Sequence, residues 1–220
     1  MKTILGITQW LSTLLLPFLL IMTAVIILFN PWFLVLEYSR PGFPADPYGF
    51  TKTERLQFGG VSLEYMHNKS GIEFLAKPTL SDDTPLYNER ELSHMEDVKG
   101  VFQGMIFAWW IILVVIILTG LWSWRKHAFA SFWQRMSTGG WAAIVMVAAI
   151  LVGVVVAFDE LFTLFHKLFF TGDTWLFAYS DSLIRLFPLE FWMDAFIWMG
   201  GITILLGLLF AFGGRWMARQ

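Results

Sequence analysis

The sequence contains no cysteine. This absence excludes disulfide bonds, thiolate metal ligands and a cysteine nucleophile, and the chain itself cannot be anchored through a lipidated cysteine. Charged residues are scarce as well, because Asp, Glu, Lys and Arg make up only 15% of the chain and the formal net charge is −2. Without a basic field, nothing in the composition indicates a nucleic-acid partner.

Two common hydrolase motifs are also missing. The chain has no HExxH pair of zinc ligands and no GxSxG turn that would present a serine nucleophile. A zinc site built from two distant histidines and one carboxylate remains an alternative, since catalytic zinc needs only three protein ligands.

Apolar residues, by contrast, are abundant. They make up 57% of the chain, and the mean hydropathy is +0.62, whereas soluble domains are about 45–50% apolar. Crossing a bilayer takes about 20 apolar residues in a helix, and the chain has four runs of roughly that length or more. The spans are predicted at about 4–29, 101–124, 141–158 and 191–212.

Positive charges are unevenly distributed among the connections between these spans. The short connections on one side contain only basic charged residues, so by the positive-inside rule both termini are predicted to be cytoplasmic. The basic residues are Lys2, Arg125, Lys126, Arg135, Arg215 and Arg219. The predicted segments are 1–36 (first span and exit), 37–100 (extracellular cap), 101–124, 125–140 (cytoplasmic loop), 141–158, 159–190 (extracellular loop and helix extension), 191–212 and 213–220 (tail).

The cap is predicted to mix a helix with a short hairpin. Thr51 and Glu54 match a capping box, which predicts a helix start, although residues 61–65 also alternate as a strand would. Residues 72–75 and 86–87 are predicted to pair around a loop rich in turn residues. The predicted fold class is therefore all-α integral membrane, with four transmembrane helices and a small extracellular α+β cap.

His94 is the first candidate site residue. Asn88 and Glu91 match a second capping box, which predicts one continuous helix from Glu89 into the second span. Glu91 and Asp97 flank His94 at three residues on either side, so either carboxylate is placed to orient the ring. A solvated helix face with mixed charges is the simpler alternative.

His166 is the second candidate. It lies in the stretch 158–195, which contains ten Phe and Trp residues together with Asp159 and Asp173. Asp159 precedes His166 by seven residues and falls on the same helix face. An apolar surround disfavours imidazolium, and a neutral ring is what a general base requires. The alternative is an interfacial histidine that only bonds a backbone carbonyl.

Three segments resemble a family of four-span bacterial membrane proteins, the lipoprotein intramolecular transacylases, formerly known as a domain of unknown function. The segments are LYNERELSHMEDVKGVF, LFTLFHKLFFTGDTWLF and DSLIRLFPLEFW. Through the spacing and order of the spans, the resemblance extends over nearly the whole chain.

The resemblance implies an activity. The family moves the sn-2 acyl chain of a diacylglyceryl lipoprotein onto the α-amino group of its N-terminal cysteine, which gives the lyso-form lipoproteins of low-GC Gram-positive bacteria. Its two essential histidines match His94 and His166 here. No cofactor is implied, and the expected partners are diacylglyceryl-modified lipoproteins and membrane lipid.

The residue chemistry is consistent with such a transfer. An α-amino group has a pKa of about 7.7–8.0 and must lose a proton to attack an ester. We expect His166 to act as base and His94 to stabilise the oxyanion, with support from Glu91, Asp97, Asp159 and Asp173; the exchanged roles fit the sequence equally. A metal-dependent membrane hydrolase and a non-enzymatic lipid-binding scaffold are the alternatives.

Overall fold

The protein is described by a computed structural model that covers residues 2–220, and its regular structure there is helical. The α-helices are α1 (Lys2–Leu28), α2 (Pro31–Ser39), α3 (Lys52–His67), α4 (Glu89–Arg125), α5 (Phe129–Val156), α6 (Phe158–Phe169), α7 (Ser182–Leu186) and α8 (Leu189–Met217). A single 3₁₀ turn covers Ile72–Phe74.

Four helices of the described chain are long and apolar enough to cross a membrane, in agreement with the four predicted spans. They are Thr3–Leu28, Glu89–Arg125, Phe129–Val156 and Leu189–Met217. The first three turns of α4 (89–100) contain six charged side chains. The part of α4 that suits a bilayer is therefore 101–124, and His94 precedes it.

The chain divides into two compact units. One unit contains the apolar lengths of the long helices, and the other contains the segments in which both candidate histidines lie. The first unit comprises 2–27, Met105–Val156 and Phe196–Gln220, and the second comprises Leu28–Gly104 and Ala157–Ala195.

Close helix packing in the first unit corrects the predicted loop at 125–140. The connection is short and α5 begins at Phe129, so most of that loop is helical. Gly139 and Gly140 stay inside the helix because neighbouring backbones approach them. A Cβ on Gly139 would lie 2.9 Å from the Thr13 carbonyl oxygen, and one on Gly140 would lie 2.6 Å from that of Gly207. Small residues permit such contacts between membrane helices.

The second unit is helical where the sequence predicted an α+β cap, so that prediction is wrong. The Thr51–Glu54 capping box is present and starts α3, which continues through the residues that alternate like a strand. In place of the hairpin, the described chain has the 3₁₀ turn and one isolated bridge between Thr79 and Pro85. Pro78 and Pro85 have no N–H to donate, which prevents a longer ladder.

A third correction concerns the end of the third span. The segment 159–190 is predicted to begin as an extension of that helix, but Ala157 already interrupts the helix with φ −151° and ψ 55°. A separate helix, α6, then begins at Phe158. The preceding residues 154–156 are all valine, whose β-branched side chains lose rotamer freedom in a helix.

Candidate active site

His94 lies in the second turn of α4, and the capping box predicted for this helix is present. The Asn88 side chain accepts a hydrogen bond from the Glu91 N–H at 3.0 Å, and Glu91 accepts one from the Asn88 N–H at 2.8 Å. These bonds satisfy N–H groups that a helix start otherwise leaves open. The His94 side chain is only 7% exposed.

His166 lies near the end of α6 and is 8% exposed. Its Nδ1 is 2.8 Å from the Phe162 carbonyl oxygen. Because a carbonyl oxygen only accepts hydrogen bonds, Nδ1 must carry a proton. In a neutral ring the lone pair therefore lies on Nε2, where it is available as a base.

The two imidazole rings lie next to each other, although 72 residues separate them in the sequence. Their centroids are 5.8 Å apart, and the ring planes are inclined by 23°. The His94 Nδ1 is buried and has no hydrogen-bond partner among residues 2–220. An unpaired buried N–H is rarer than an unpaired buried acceptor. We therefore assign the proton of neutral His94 to Nε2.

Aromatic side chains enclose both rings. Phe170 contacts both, at centroid distances of 4.9 Å to His94 and 5.5 Å to His166. Phe177 lies 5.4 Å from His94, and Trp175 lies 5.0 Å from His166. The sequence showed that this stretch is rich in aromatic residues, but not which of them would contact the histidines.

Burial changes the acid–base properties of both histidines. It lowers the pKa of His94 to about 4, and the nearby His166 contributes to that lowering. Burial also lowers the pKa of His166, while its hydrogen bond to the Phe162 carbonyl opposes the change. An apolar surround disfavours the charged form of a base, so both rings are neutral at neutral pH.

A groove of about 340 Å³ lies between α4 and the end of α6. Its lining combines two carboxylates with aromatic and small residues. These are Glu96, Asp97, Gly100, Val101, Phe169, Phe170 and Thr171. Phe170 forms part of this lining and also contacts both imidazoles, so its ring separates the groove from the histidines, neither of which lines it.

The four carboxylates predicted to support the histidines differ from one another in burial and in contacts. Glu91 is buried, and its two oxygens accept backbone N–H groups, at 2.8 Å from Asn88 and 2.7 Å from Leu183. Asp97 is exposed and lines the groove. Asp159 and Asp173 are exposed. Glu91 thus joins the start of α4 to α7 instead of orienting His94.

Metal ligation was the open alternative for these residues. Within residues 2–220, no three His, Asp or Glu side chains converge closely enough to hold a metal ion. The alternative combination of the two histidines with one carboxylate is not assembled there.

Replacing Glu91 by alanine is expected to destabilise the protein by about 2–4 kcal/mol. The substitution leaves the Leu183 N–H buried without an acceptor, and such a group costs about 1–3 kcal/mol, in addition to the lost cap at Asn88. Thermal unfolding in detergent measures the loss. Glu89→Ala is the control, because Glu89 is exposed on the same helix turn, and equal melting temperatures for the two variants would contradict the assignment.

Acid is expected to destabilise the folded protein through His94. An unfolded histidine binds a proton near pH 6.5, whereas folded His94 does so only near pH 4. Between these values the unfolded state binds more protons, so the free energy of unfolding falls as the pH falls. The loss is about 1–3 kcal/mol, because one pKa unit corresponds to about 1.4 kcal/mol.

Melting temperatures at pH 7 and pH 4.5 measure this effect. His94→Gln is the matched comparison, because glutamine does not titrate and the other groups of the protein stay unchanged. Wild type is expected to lose more stability than the variant, and equal losses would show that His94 is not buried in its neutral form.

Both the sequence and the fold are similar to those of known proteins. A sequence profile of the family described as lipoprotein intramolecular transacylase Lit matches residues 10–192. The chain is also 30% identical over 200 residues to an uncharacterized protein of Aquifex aeolicus (strain VF5), a match that covers 90% of this chain and 88% of that protein.

Solved structures show the same fold. The in meso structure of the membrane integral lipoprotein intramolecular transacylase Lit from Bacillus cereus matches with a TM-score of 0.79 and 21% identity, over 100% of this chain and 96% of that chain. A histidine-to-arginine variant of the same protein matches with a TM-score of 0.77 and 19% identity, over 99% and 93%. The fold follows from these structures and the family from the profile, which covers most of the chain. This chain therefore belongs to the lipoprotein intramolecular transacylase family.

Proposed function

We propose that this membrane transacylase moves the sn-2 acyl chain of a diacylglyceryl lipoprotein to the α-amino group of the same molecule's N-terminal cysteine. The family membership supplies the reaction class. The observation that supports the O-to-N transfer here is the buried pair of neutral imidazoles, His94 and His166, with ring centroids 5.8 Å apart.

In this reaction the amine nitrogen attacks the carbonyl carbon of the sn-2 ester. A C–N bond forms, the C–O bond to glycerol breaks, and one proton moves from nitrogen to the released glyceryl oxygen. The products are an N-acyl amide and a free sn-2 hydroxyl. Because both groups belong to one substrate, the enzyme mainly folds the head group into a reactive conformation.

His166 is the general base of this proposal. Its Nδ1 proton is held by the Phe162 carbonyl, so the Nε2 lone pair takes the amine proton and then returns it to the leaving oxygen. A positioned base contributes about 10²–10⁴-fold in rate. The lowered pKa of the ring keeps that lone pair free at neutral pH.

His94 stabilises the tetrahedral oxyanion. With its Nδ1 buried and unpartnered, the Nε2–H is the donor available to a developing negative charge. A donor in an apolar site acts more strongly than the same group in water, because little solvent screens it.

The site belongs at the outer face of the membrane in this proposal. The uneven distribution of basic residues orients the termini towards the cytoplasm, and the segments that contain the histidines follow odd-numbered spans. A lipid-anchored substrate then reaches the site by diffusion within the outer leaflet.

Tandem mass spectrometry of a reporter lipoprotein tests the proposal. Intramolecular transfer leaves the peptide mass unchanged, so fragmentation must locate the acyl chain. We expect the chain on the N-terminal nitrogen when wild type is expressed in a host that lacks N-acylation. A reporter that keeps two ester-linked chains beside well-expressed protein would contradict the proposal.

Two further outcomes identify the alternatives. Release of free fatty acid that stops on chelation would indicate a metal-dependent hydrolase. An unmodified reporter that binds the protein equally well after either histidine is replaced would indicate a lipid-binding scaffold.

A further inference from the structure

Helix α6 has an apolar side that the protein leaves uncovered. Leu164 and Leu168 are 65% and 74% exposed, and Phe165 between them is 42% exposed. Large apolar side chains exposed together in this way mark a surface that another apolar phase contacts. We call Leu164, Phe165 and Leu168 the α6 strip.

The side chains of α6 are sorted around the helix axis. A step of two residues corresponds to about 200° of rotation, so Leu164 and Leu168 both point away from the side that holds His166. The exposed Asp159 and Lys167 lie about 20° and 100° around the axis from the histidine, on the arc between it and the strip. The helix therefore buries its histidine in the protein, exposes one apolar strip and keeps its charged groups on the arc between the two.

The position of α6 in the chain identifies what covers this strip. The helix α5, which is long and apolar enough to span a membrane, ends at Val156, and α6 begins at Phe158. At most about 3.6 Å of chain per residue separates the two helices, so α6 starts where the chain leaves the bilayer. An amphipathic helix at such a boundary lies in the interface, with its apolar side among acyl chains and its polar side towards water.

We propose that the α6 strip is immersed in the acyl-chain region of the membrane and sets the depth at which His166 meets its lipid-anchored substrate. The second part rests on the proposed function, and the first part does not. Leu176 and Tyr179, in the loop after α6, are also exposed, at 49% and 82%.

Spin labelling tests this directly, because the sequence has no cysteine and one introduced cysteine takes the only label. Leu164→Cys and Leu168→Cys report on the strip, and Asp159→Cys and Lys167→Cys are matched controls on the polar arc of the same helix. Each labelled protein is reconstituted in phospholipid vesicles. Collision rates with oxygen, which concentrates in lipid, and with a water-soluble nickel chelate are then measured.

We expect oxygen to dominate at 164 and 168 and the nickel chelate to dominate at 159 and 167. Equal access of the chelate to both sides would overturn the proposal, since α6 would then lie in water. Shielding of 164 and 168 from both reagents would also overturn it, because a protein partner or a second copy would then cover the strip.

A functional measurement separates this proposal from the catalytic one. Leu168→Glu places a charge in the strip and is expected to slow N-acylation of a vesicle-bound reporter by about 10-fold or more, because a charged side chain is strongly disfavoured in the acyl region. Leu168→Ile is the control and is expected to keep wild-type activity. If the collision rates are as expected but wild type forms no N-acyl product, the membrane contact stands and the proposed function fails. Unchanged activity of Leu168→Glu would instead remove the depth-setting role.

Discussion

Replacing His166 by alanine is expected to slow N-acylation of a lipoprotein by about 10²–10⁴-fold, the usual contribution of a positioned general base. His166→Gln is expected to lose as much. Glutamine retains a hydrogen-bonding side chain, but its amide does not accept a proton at neutral pH. The rate is measured as N-acyl reporter formed per minute at equal amounts of folded protein.

His127→Ala is the control for this experiment. His127 is exposed and lies in the turn between α4 and α5. It belongs to the first compact unit, whereas the ring pair belongs to the second. It is expected to retain full activity. A His166→Gln variant with near-wild-type activity would contradict the base assignment, because the side chain would then act only through a hydrogen bond.

The second large effect is expected at His94, where the alanine and glutamine variants are expected to differ in activity. His94→Ala removes the donor to the oxyanion and is expected to cost about 10²–10³-fold, as the loss of one such donor does in other enzymes. His94→Gln keeps an N–H donor at a similar distance from the backbone. It is expected to remain within about 10-fold of wild type.

The two glutamine variants together assign the roles. Activity that survives at 94 but not at 166 matches the tautomers inferred from the Phe162 carbonyl and from the buried Nδ1 of His94. The reverse pattern would exchange the roles of the histidines. Loss in both variants would mean that both rings transfer protons.

The sequence predicted the parts of this molecule that local physics controls. Run length alone located the four spans, because a bilayer imposes a minimum length on any apolar helix. The capping boxes at Thr51 and Asn88 could also be predicted, because the hydrogen bonds of each box form within a single helix turn. His94 was located on α4 by its distance from Asn88.

Features that depend on packing between distant segments could not be predicted from the sequence. Gly139 and Gly140 look like a turn in the sequence, but a close backbone contact explains each of them. The predicted hairpin does not form. The apolar residues at 75, 86 and 87 are buried by side-chain packing, without strand pairing between the two segments. No Gly or Pro marks the break at Ala157.

The candidate site combines both cases. Aromatic density and a histidine at a span boundary pointed to the stretch 158–195. The approach of His94 to His166 and the enclosure of both by Phe170 depend on contacts between distant segments. Glu91 was a reasonable partner for His94 by spacing, but its oxygens are already used by backbone N–H groups.

Intramolecular transfer is the central claim, and a crossover experiment tests it most directly. One reporter lipopeptide has a heavy-isotope peptide and ordinary acyl chains, and the other has a light peptide and a deuterated sn-2 chain. Both are mixed in vesicles that contain the purified protein. Fragmentation of the products then shows which acyl chain is attached to which nitrogen.

We expect every N-acyl product to keep its original pairing, heavy peptide with ordinary chain and light peptide with deuterated chain. Exchanged pairs in statistical proportion would contradict the account, because the acyl group would then pass between substrate molecules.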